Sequence, residues 1–262
     1  MIMNKEILAL LHKDLLLNTD NYTNLGKKYK ISRGTVRYYA KKFNLHNGSL
    51  HRVKSHSLDI SYFDNIDTPN KAYVLGFIYA DGCNTRKGLA IGIHHDDIDV
   101  LNFIKDQLGI SDKLRFIPAY KPTWSDKYEL RITSIELVKK LINVGCPPAK
   151  SNIITFPKFI DDKYMSHFIR GYFDGDGSLW SQKDGKSWHL AFTCGSKVFI
   201  EDLKKYIEDK TQSIGSIYSY SAYSLVYSRK KEIAALLNYI YKDSEFSMLR
   251  KRTKFKEFIN NL

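Results

Sequence analysis

The sequence predicts an α+β protein in which one α-β-β-α-β-β-α unit occurs twice, preceded by a small all-α module. Three observations predict it. First, the stretch Val74-Leu75-Gly76-Phe77-Ile78-Tyr79-Ala80-Asp81-Gly82 returns as Ile169-Arg170-Gly171-Tyr172-Phe173-Asp174-Gly175-Asp176-Gly177. The copies share Gly76/Gly171, Asp81/Asp176 and Gly82/Gly177, and the aspartates lie 95 positions apart, enough for a small α/β unit between them. Second, the hydrophobic periodicities after each copy run in the same order. Third, the polar stretch from His46 to Asp59 sets the N-terminal residues apart. The expected boundaries are a helical module over 1–48, a linker over 49–67, a first repeat over 68–150 and a second over 151–262.

In the N-terminal module, Ile7, Leu8, Leu10, Leu11 and Leu15 mark a first helix, and Tyr22 to Tyr29, with Leu25 apolar, a second. Lys30-Ile31 makes a short turn. Ser32 caps a third helix running through Arg33, Thr35, Val36 and Arg37 to Phe43. This resembles a helix-turn-helix module, and the polar, basic start of the third helix makes Arg33, Thr35 and Arg37 candidates for DNA contact. Arg52 and Lys54 in the linker can touch phosphate.

The first repeat opens at Thr68-Pro69, an N-cap followed by proline at the first helical position. Beyond Gly82 come a short strand, a turn at Thr85-Arg86-Lys87-Gly88 and an apolar strand from Leu89 to Ile93. Val100, Leu101, Ile104 and Leu108 recur at helical spacing; Lys113 to Tyr120 and Lys127 to Thr133 alternate as a hairpin. Ser134 caps a helix of Leu137, Val138, Leu141 and Ile142 that Gly145 stops. Cys146-Pro147-Pro148-Ala149-Lys150-Ser151 cannot be helical and joins the halves. In the second repeat, Asp161-Asp162 cap the motif helix, and strands follow at 178–182 and 188–194. A helix from Lys197 carries Phe199, Ile200, Leu203 and Ile207; a hairpin covers 216–220 and 224–228; a helix carries Ile233, Leu236, Leu237 and Ile240. The tail from Arg250 to Ile259 is basic and helical.

Read as helices, both motif copies carry small residues at i and i+4, Gly76 with Ala80 and Gly171 with Gly175, so the two helices can pack closely. That packing brings Asp81 and Asp176 together at two helix C-termini, the unfavourable end of the dipole for a carboxylate. Two such carboxylates repel, and one protonates unless a cation intervenes. A hard divalent cation such as magnesium resolves the conflict, because it takes one or two carboxylates, waters and substrate phosphate. Asp81-Gly82 and Asp176-Gly177 also read as helix ends whose glycines turn left-handed.

The charge balance names a partner class. Lys and Arg total 41 against 28 Asp and Glu, a net charge of +13, which suits a polyanion such as DNA or RNA. No apolar run approaches a membrane span, no signal pattern opens the chain, and Cys83, Cys146 and Cys194 lack a zinc spacing. The expectation is reduced thiols in a cytoplasm, or a phage or organelle matrix, not secretion. Two repeats about a pseudo-twofold axis give two curved antiparallel sheets astride the motif helices. Arg115, Lys121, Arg131, Tyr218, Tyr220 and Tyr227 on their strands, Arg86 and Lys87 at a turn, and Arg229 beyond the last strand are candidates for phosphate and base contacts.

The two stretches resemble the LAGLIDADG signature of homing endonucleases in its two-motif, single-chain form, over roughly residues 68 to 262. The resemblance implies a monomer that binds a long specific double-stranded DNA site and hydrolyses one phosphodiester per strand with Mg2+, or Mn2+ as substitute. Asp81 and Asp176 match the catalytic metal-binding aspartate, and the carbonyls of Ala80 and Gly175 match further metal ligands. The sixth motif position, often Asp, is Tyr79 in one copy and Asp174 in the other. A basic residue at the end of each last strand is Arg131 in the first repeat; in the second, Tyr227 aligns, with Arg229 and Lys230 just beyond, so Lys230 is the candidate. A water-ordering polar residue falls at His95 and at Ser196 or Lys197. A non-cleaving regulator or an intron RNA maturase on the same fold is the competing expectation.

Overall fold

The structure, a computed structural model, describes residues 4–17, 20, 22–43, 45, 58–183 and 185–262. It divides into two compact units, Met1–His56 and Ser57–Leu262. Most of the expected linker, with Arg52 and Lys54, lies outside the described residues.

The first unit is three helices: α1 (Lys5–Leu17), α2 (Tyr22–Lys28) and α3 (Arg33–Lys42). Leu11, Leu15, Tyr22, Leu25, Val36 and Ala40 form its own core. Asp14 of α1 accepts from Lys28 and Tyr29, tying the first two helices. The turn into α3 is tight: a Cβ on Gly26 would lie 2.8 Å from the Ile31 carbonyl oxygen. Lys30 turns left-handed with φ 52, and the Ser32 hydroxyl accepts from the Thr35 amide at 3.0 Å as the N-cap.

The second unit begins earlier than the sequence suggested. Residues 60–63 form a 3-10 turn, and Tyr62 and Phe63 are buried in the main core. The segment 58–67, expected as linker, is therefore part of the folded body; its apolar Leu58, Tyr62, Phe63 and Ile66 outweigh its polar neighbours. The motif helices are α4 (Pro69–Asp81) and α7 (Asp162–Asp176). Thr68 caps the first through the Lys71 amide and Asp161 the second through the Lys163 amide.

Each repeat then builds one four-stranded antiparallel sheet. The first holds β1 (Gly82–Asn84), β2 (Gly88–His94), β3 (Arg115–Ile117) and β4 (Lys127–Thr133) in the order β1-β2-β4-β3. The second holds β5 (Gly177–Ser181), β6 (Trp188–Cys194), β7 (Ser216–Ser219) and β8 (Tyr223–Tyr227) in the order β5-β6-β8-β7. Helices α5 (Ile98–Gln107) and α6 (Ile135–Asn143) cover the first sheet, α8 (Lys197–Thr211) and α9 (Lys230–Tyr241) the second, and α10 (Leu249–Ile259) ends the chain. The expected order is observed. The connector after α6 is not wholly irregular, because Lys150–Asn152 make a 3-10 turn once the two prolines are passed. No described helix is long and apolar enough to cross a membrane.

Candidate active site and nucleic-acid face

The site starts from two glycines. A Cβ on Gly76 would lie 2.0 Å from the Phe168 carbonyl oxygen, and one on Gly171 would lie 2.0 Å from the Tyr73 carbonyl oxygen. The contacts are reciprocal, so α4 and α7 cross about a local twofold with backbone against backbone. Further along, a Cβ on Gly175 would lie 2.4 Å from that of Ala80 and 3.2 Å from the Asp81 carboxylate. The C-terminal ends of the helices therefore meet. The glycines that follow are not left-handed as expected: Gly82 has φ −69 and Gly177 φ −87, both leading straight into strands. They are glycines because a side chain would strike the preceding turn, 2.6 Å from the Ile78 carbonyl oxygen and 2.2 Å from the Phe173 ring.

Burial, and next the Asp176 charge, push the Asp81 carboxyl up to about 6. Burial also raises Asp176. In both cases the charges of Lys150 and Lys251 pull the other way. Each lysine is itself buried, 7% and 6% exposed; Lys150 opens the 3-10 turn after α6 and Lys251 lies in the first turn of α10. The Lys150 ammonium donates to the carbonyls of Tyr79 and Ala80 at 2.6 and 2.8 Å, satisfying orphan acceptors at the end of α4. Lys251 donates to the Gly177 carbonyl just past α7. Burial, and next Arg250, lower its ammonium to about 8.

Sequence reasoning missed this pair: Lys150 stood unremarked in the connector and Lys251 in the basic tail. The available signal was positional, one lysine within about ten residues of the end of the helix that follows the last strand of each repeat.

The last-strand cations lie elsewhere. Arg131 is on the outward face of the first sheet, 3.0 Å from Glu129. Register rules out Tyr227 as its counterpart: Gly82 pairs with Ile91 and that with Leu130, while Gly177 pairs with Phe192 and that with Leu225. Arg131 therefore corresponds to Val226. Tyr227 points inward, is fully buried, and its hydroxyl has no hydrogen-bond partner. Lys230 opens α9 and donates to the Asn261 carbonyl, and Arg229 pairs with Glu232 at 3.0 Å.

Among the other candidates, Arg86 and Lys87 are exposed at the β1–β2 turn and Arg115 is exposed beside Glu129. Lys121 lies over the Trp124 ring beyond β3, and Tyr218 on β7 and Tyr220 at the β7–β8 turn are exposed. His94, His95 and Asp96 cluster at the end of β2 with ligand atoms within 4.8 Å of one another, all on the surface. Ser196 caps α8 and donates to the Ile154 carbonyl at 2.7 Å, and Lys197 pairs with Glu201. In the separate first unit, Arg33 and Arg37 are exposed and Thr35 bonds the Ser32 hydroxyl.

Residues 163–241 match the family model described as a LAGLIDADG-like domain. The homing endonuclease I-WcaI, solved bound to its DNA recognition sequence, superposes with a TM-score of 0.51 at 14% identity over 76% of this chain and 96% of its own. The fold is LAGLIDADG. Full-length DUF199/WhiA from Thermatoga maritima is similar at TM-score 0.50 and 16% identity, over 77% of this chain and 64% of that one. An uncharacterized protein of Methanocaldococcus jannaschii is 23% identical over 100% of this chain and 97% of its own. A probable translation initiation factor IF-2 of Thermococcus kodakarensis is 23% identical over 91% of this chain, which spans only 21% of that factor's length. The second of the duplicated stretches lies within the residues matched by the family model.

Proposed function

We propose that the protein is a divalent-metal-dependent endonuclease of homing type. It recognises a long double-stranded DNA site as a monomer and hydrolyses one phosphodiester on each strand, in a cytoplasm or organelle matrix. One observation carries the reading: two carboxylates at abutting helix ends, each raised in pKa, with one buried lysine beside each helix end. A fold gains nothing from that arrangement, because carboxylates at helix C-termini destabilise it.

The donor set fits a hard cation. Asp81 and Asp176 with the carbonyls of Ala80 and Gly175 are all-oxygen ligands suited to Mg2+, with Mn2+ as substitute. When bound, such an ion supplies Lewis acidity toward a phosphate oxygen and lowers the pKa of attacking water. The chain's own part is different. Asp81 and Asp176, ionised, hold the cation and orient water. Lys150 and Lys251 donate toward phosphate oxygens as negative charge grows on them. The Lys251 Nζ, with its lowered pKa, can also give up a proton near neutral pH.

The outward faces of the two sheets form the DNA surface. Arg86, Lys87, Arg115, Lys121, Arg131, Arg229 and Lys230 serve phosphates, and Tyr218 and Tyr220 reach base edges or stack. Arg33, Thr35 and Arg37 of the first unit add contacts on α3.

Asp81→Asn and Asp176→Asn are each expected to abolish cleavage while binding in calcium persists, read by duplex cleavage and gel shift. Cleavage undiminished in both variants would remove the metal assignment. A second reading, a non-cleaving DNA or RNA binder, is favoured by the Lys150 ammonium, which already occupies the Ala80 carbonyl. It is the outcome if the wild-type protein binds its site and magnesium produces no cut.

A further inference from the structure

The two repeats fix their lysines differently. The second lysine is held from across the repeat boundary. Asp97 stands at the N-cap position of α5, yet its side chain makes no cap hydrogen bond to that helix. Its carboxylate is 3% exposed and takes the Arg250 guanidinium two-handed, at 3.1 Å from Nε and 2.9 Å from Nη2. A buried carboxylate that forgoes its own helix for an arginine on another element is committed to that element. The element is the start of α10, and the next residue is Lys251.

Two further contacts dock the same segment onto the first repeat. Phe246 stacks on Phe103 of α5 at 3.9 Å and meets Tyr73 of α4 edge-on at 5.4 Å. From the second repeat, the Asp174 carboxylate accepts the Met248 amide at 2.8 Å. The corresponding N-cap position of the second repeat is Ser196, which does cap its helix and gives only a neutral hydrogen bond to Ile154, just past the turn that carries Lys150. The charged, forked latch has no counterpart there.

We propose that Asp97 is a positioning residue for Lys251: through Arg250 it sets that ammonium at the Gly177 end of α7, so that the first repeat governs the half-site of the second. This rests on the endonuclease reading for its consequence, though not for its geometry. A fork fixes direction as well as distance, so a single hydrogen bond cannot replace it. Loss of the latch frees the first turn of α10 and lets Lys251 leave the carboxylate pair. Cleavage of one strand then slows, while the other strand and DNA affinity are unaffected.

The test uses the full chain and the variants Asp97→Asn, Arg250→Lys and the double reversal Asp97→Arg with Arg250→Asp. Two measurements run in parallel. Mass spectrometry follows acylation of Lys251 in the metal-free protein by an amine-reactive ester. Differently labelled strands of a bound duplex follow the two cuts in magnesium, with affinity measured in calcium. Asp97→Asn is expected to expose Lys251 to acylation and slow one strand about ten- to a hundred-fold, as for a catalytic group displaced by an ångström, with affinity within about two-fold of wild type and nicked product accumulating. Arg250→Lys is expected to fall between, and the double reversal to recover protection and rate. Unchanged acylation, equal slowing of both strands, or affinity lost in step with rate would overturn the proposal. Should a variant fail to fold, as seen by thermal unfolding, the remaining two decide. If the wild-type protein does not cut at all, the endonuclease reading fails, and acylation alone still decides the positioning.

Discussion

The two repeats share a backbone plan and differ in almost every polar group hung on it. They agree where they touch: Gly76 against Phe168 and Gly171 against Tyr73 are the same contact written twice. They diverge one turn away. At the sixth motif position Tyr79 donates to the Val144 carbonyl at 2.7 Å. Its counterpart Asp174 is fully buried and accepts from Tyr73, Tyr241 and the Met248 amide. Both side chains anchor the segment that carries a lysine, one with a neutral hydroxyl and one with a carboxylate. The sheets diverge too. The first turns Arg115, Lys127, Glu129 and Arg131 outward, the second Ser178, Trp180, His189, Thr193, Tyr218 and Ser224. Symmetry is kept where two backbones must meet and given up where two different half-sites can be read.

The comparison can be broken at its shared point. Gly76→Val and Gly171→Val should each destabilise the second unit by about 3 kcal/mol or more, because overpacking here meets carbonyl backbone, not a yielding side chain. Denaturant melts should show nearly equal losses; a loss confined to one variant would mean the helices do not cross about a local twofold.

It can be sharpened at the sixth position. Asp174→Asn turns an amide donor toward hydroxyl and amide donors in a fully buried place, at a cost of about 3 kcal/mol. Tyr79→Phe loses one hydrogen bond to a carbonyl, about 1 kcal/mol. Equal losses would erase the distinction between the anchors.

The carboxylate pair itself opposes folding. Asp81 titrates at about 6 in the folded protein and near 3.9 when unfolded. The native state therefore binds more protons between about pH 4 and 6, and stability from this group falls as pH rises through that window. Asp81→Asn should make the metal-free protein more stable than wild type at pH 7, on the order of 2 kcal/mol, with the gain fading toward pH 4. Thermal melts against pH check it, and a variant less stable than wild type at pH 7 would contradict it.

The smallest effect concerns the faces. Arg131→Ala should lower DNA affinity and reduce the salt slope by about one, whereas Val226→Ala, at the corresponding position of the second sheet, should leave the slope unchanged. Binding isotherms across salt concentrations distinguish the two.

Much of this was legible. The duplicated stretch, the caps at Thr68 and Asp161 and the alternating hairpins foretold the helix pair and both sheets, because glycine spacing and period-two patterning are local signals. Three things were not. The side-chain face of Tyr227 hinged on a one-residue register, which flips inside for outside and is set by sheet pairing. Tyr62 and Phe63 sat in a polar neighbourhood and were claimed by a distant core. Lys150, Lys251, Asp97 and Arg250 meet only through the tertiary fold. Each looks like an ordinary surface charge in sequence; burial sets Lys150, Lys251 and Asp97 apart, and the fork to Asp97 does so for the exposed Arg250.

The most direct test of the central claim is to select bound duplexes from a randomised or host-genomic DNA library in calcium, then exchange the complexes into magnesium and map cut ends. A pair of cuts, one per strand, across the centre of a long site, and lost in Asp81→Asn, is the expected result. Tight, sequence-selective binding that magnesium never converts into cut ends would contradict the account and make RNA the next ligand to try.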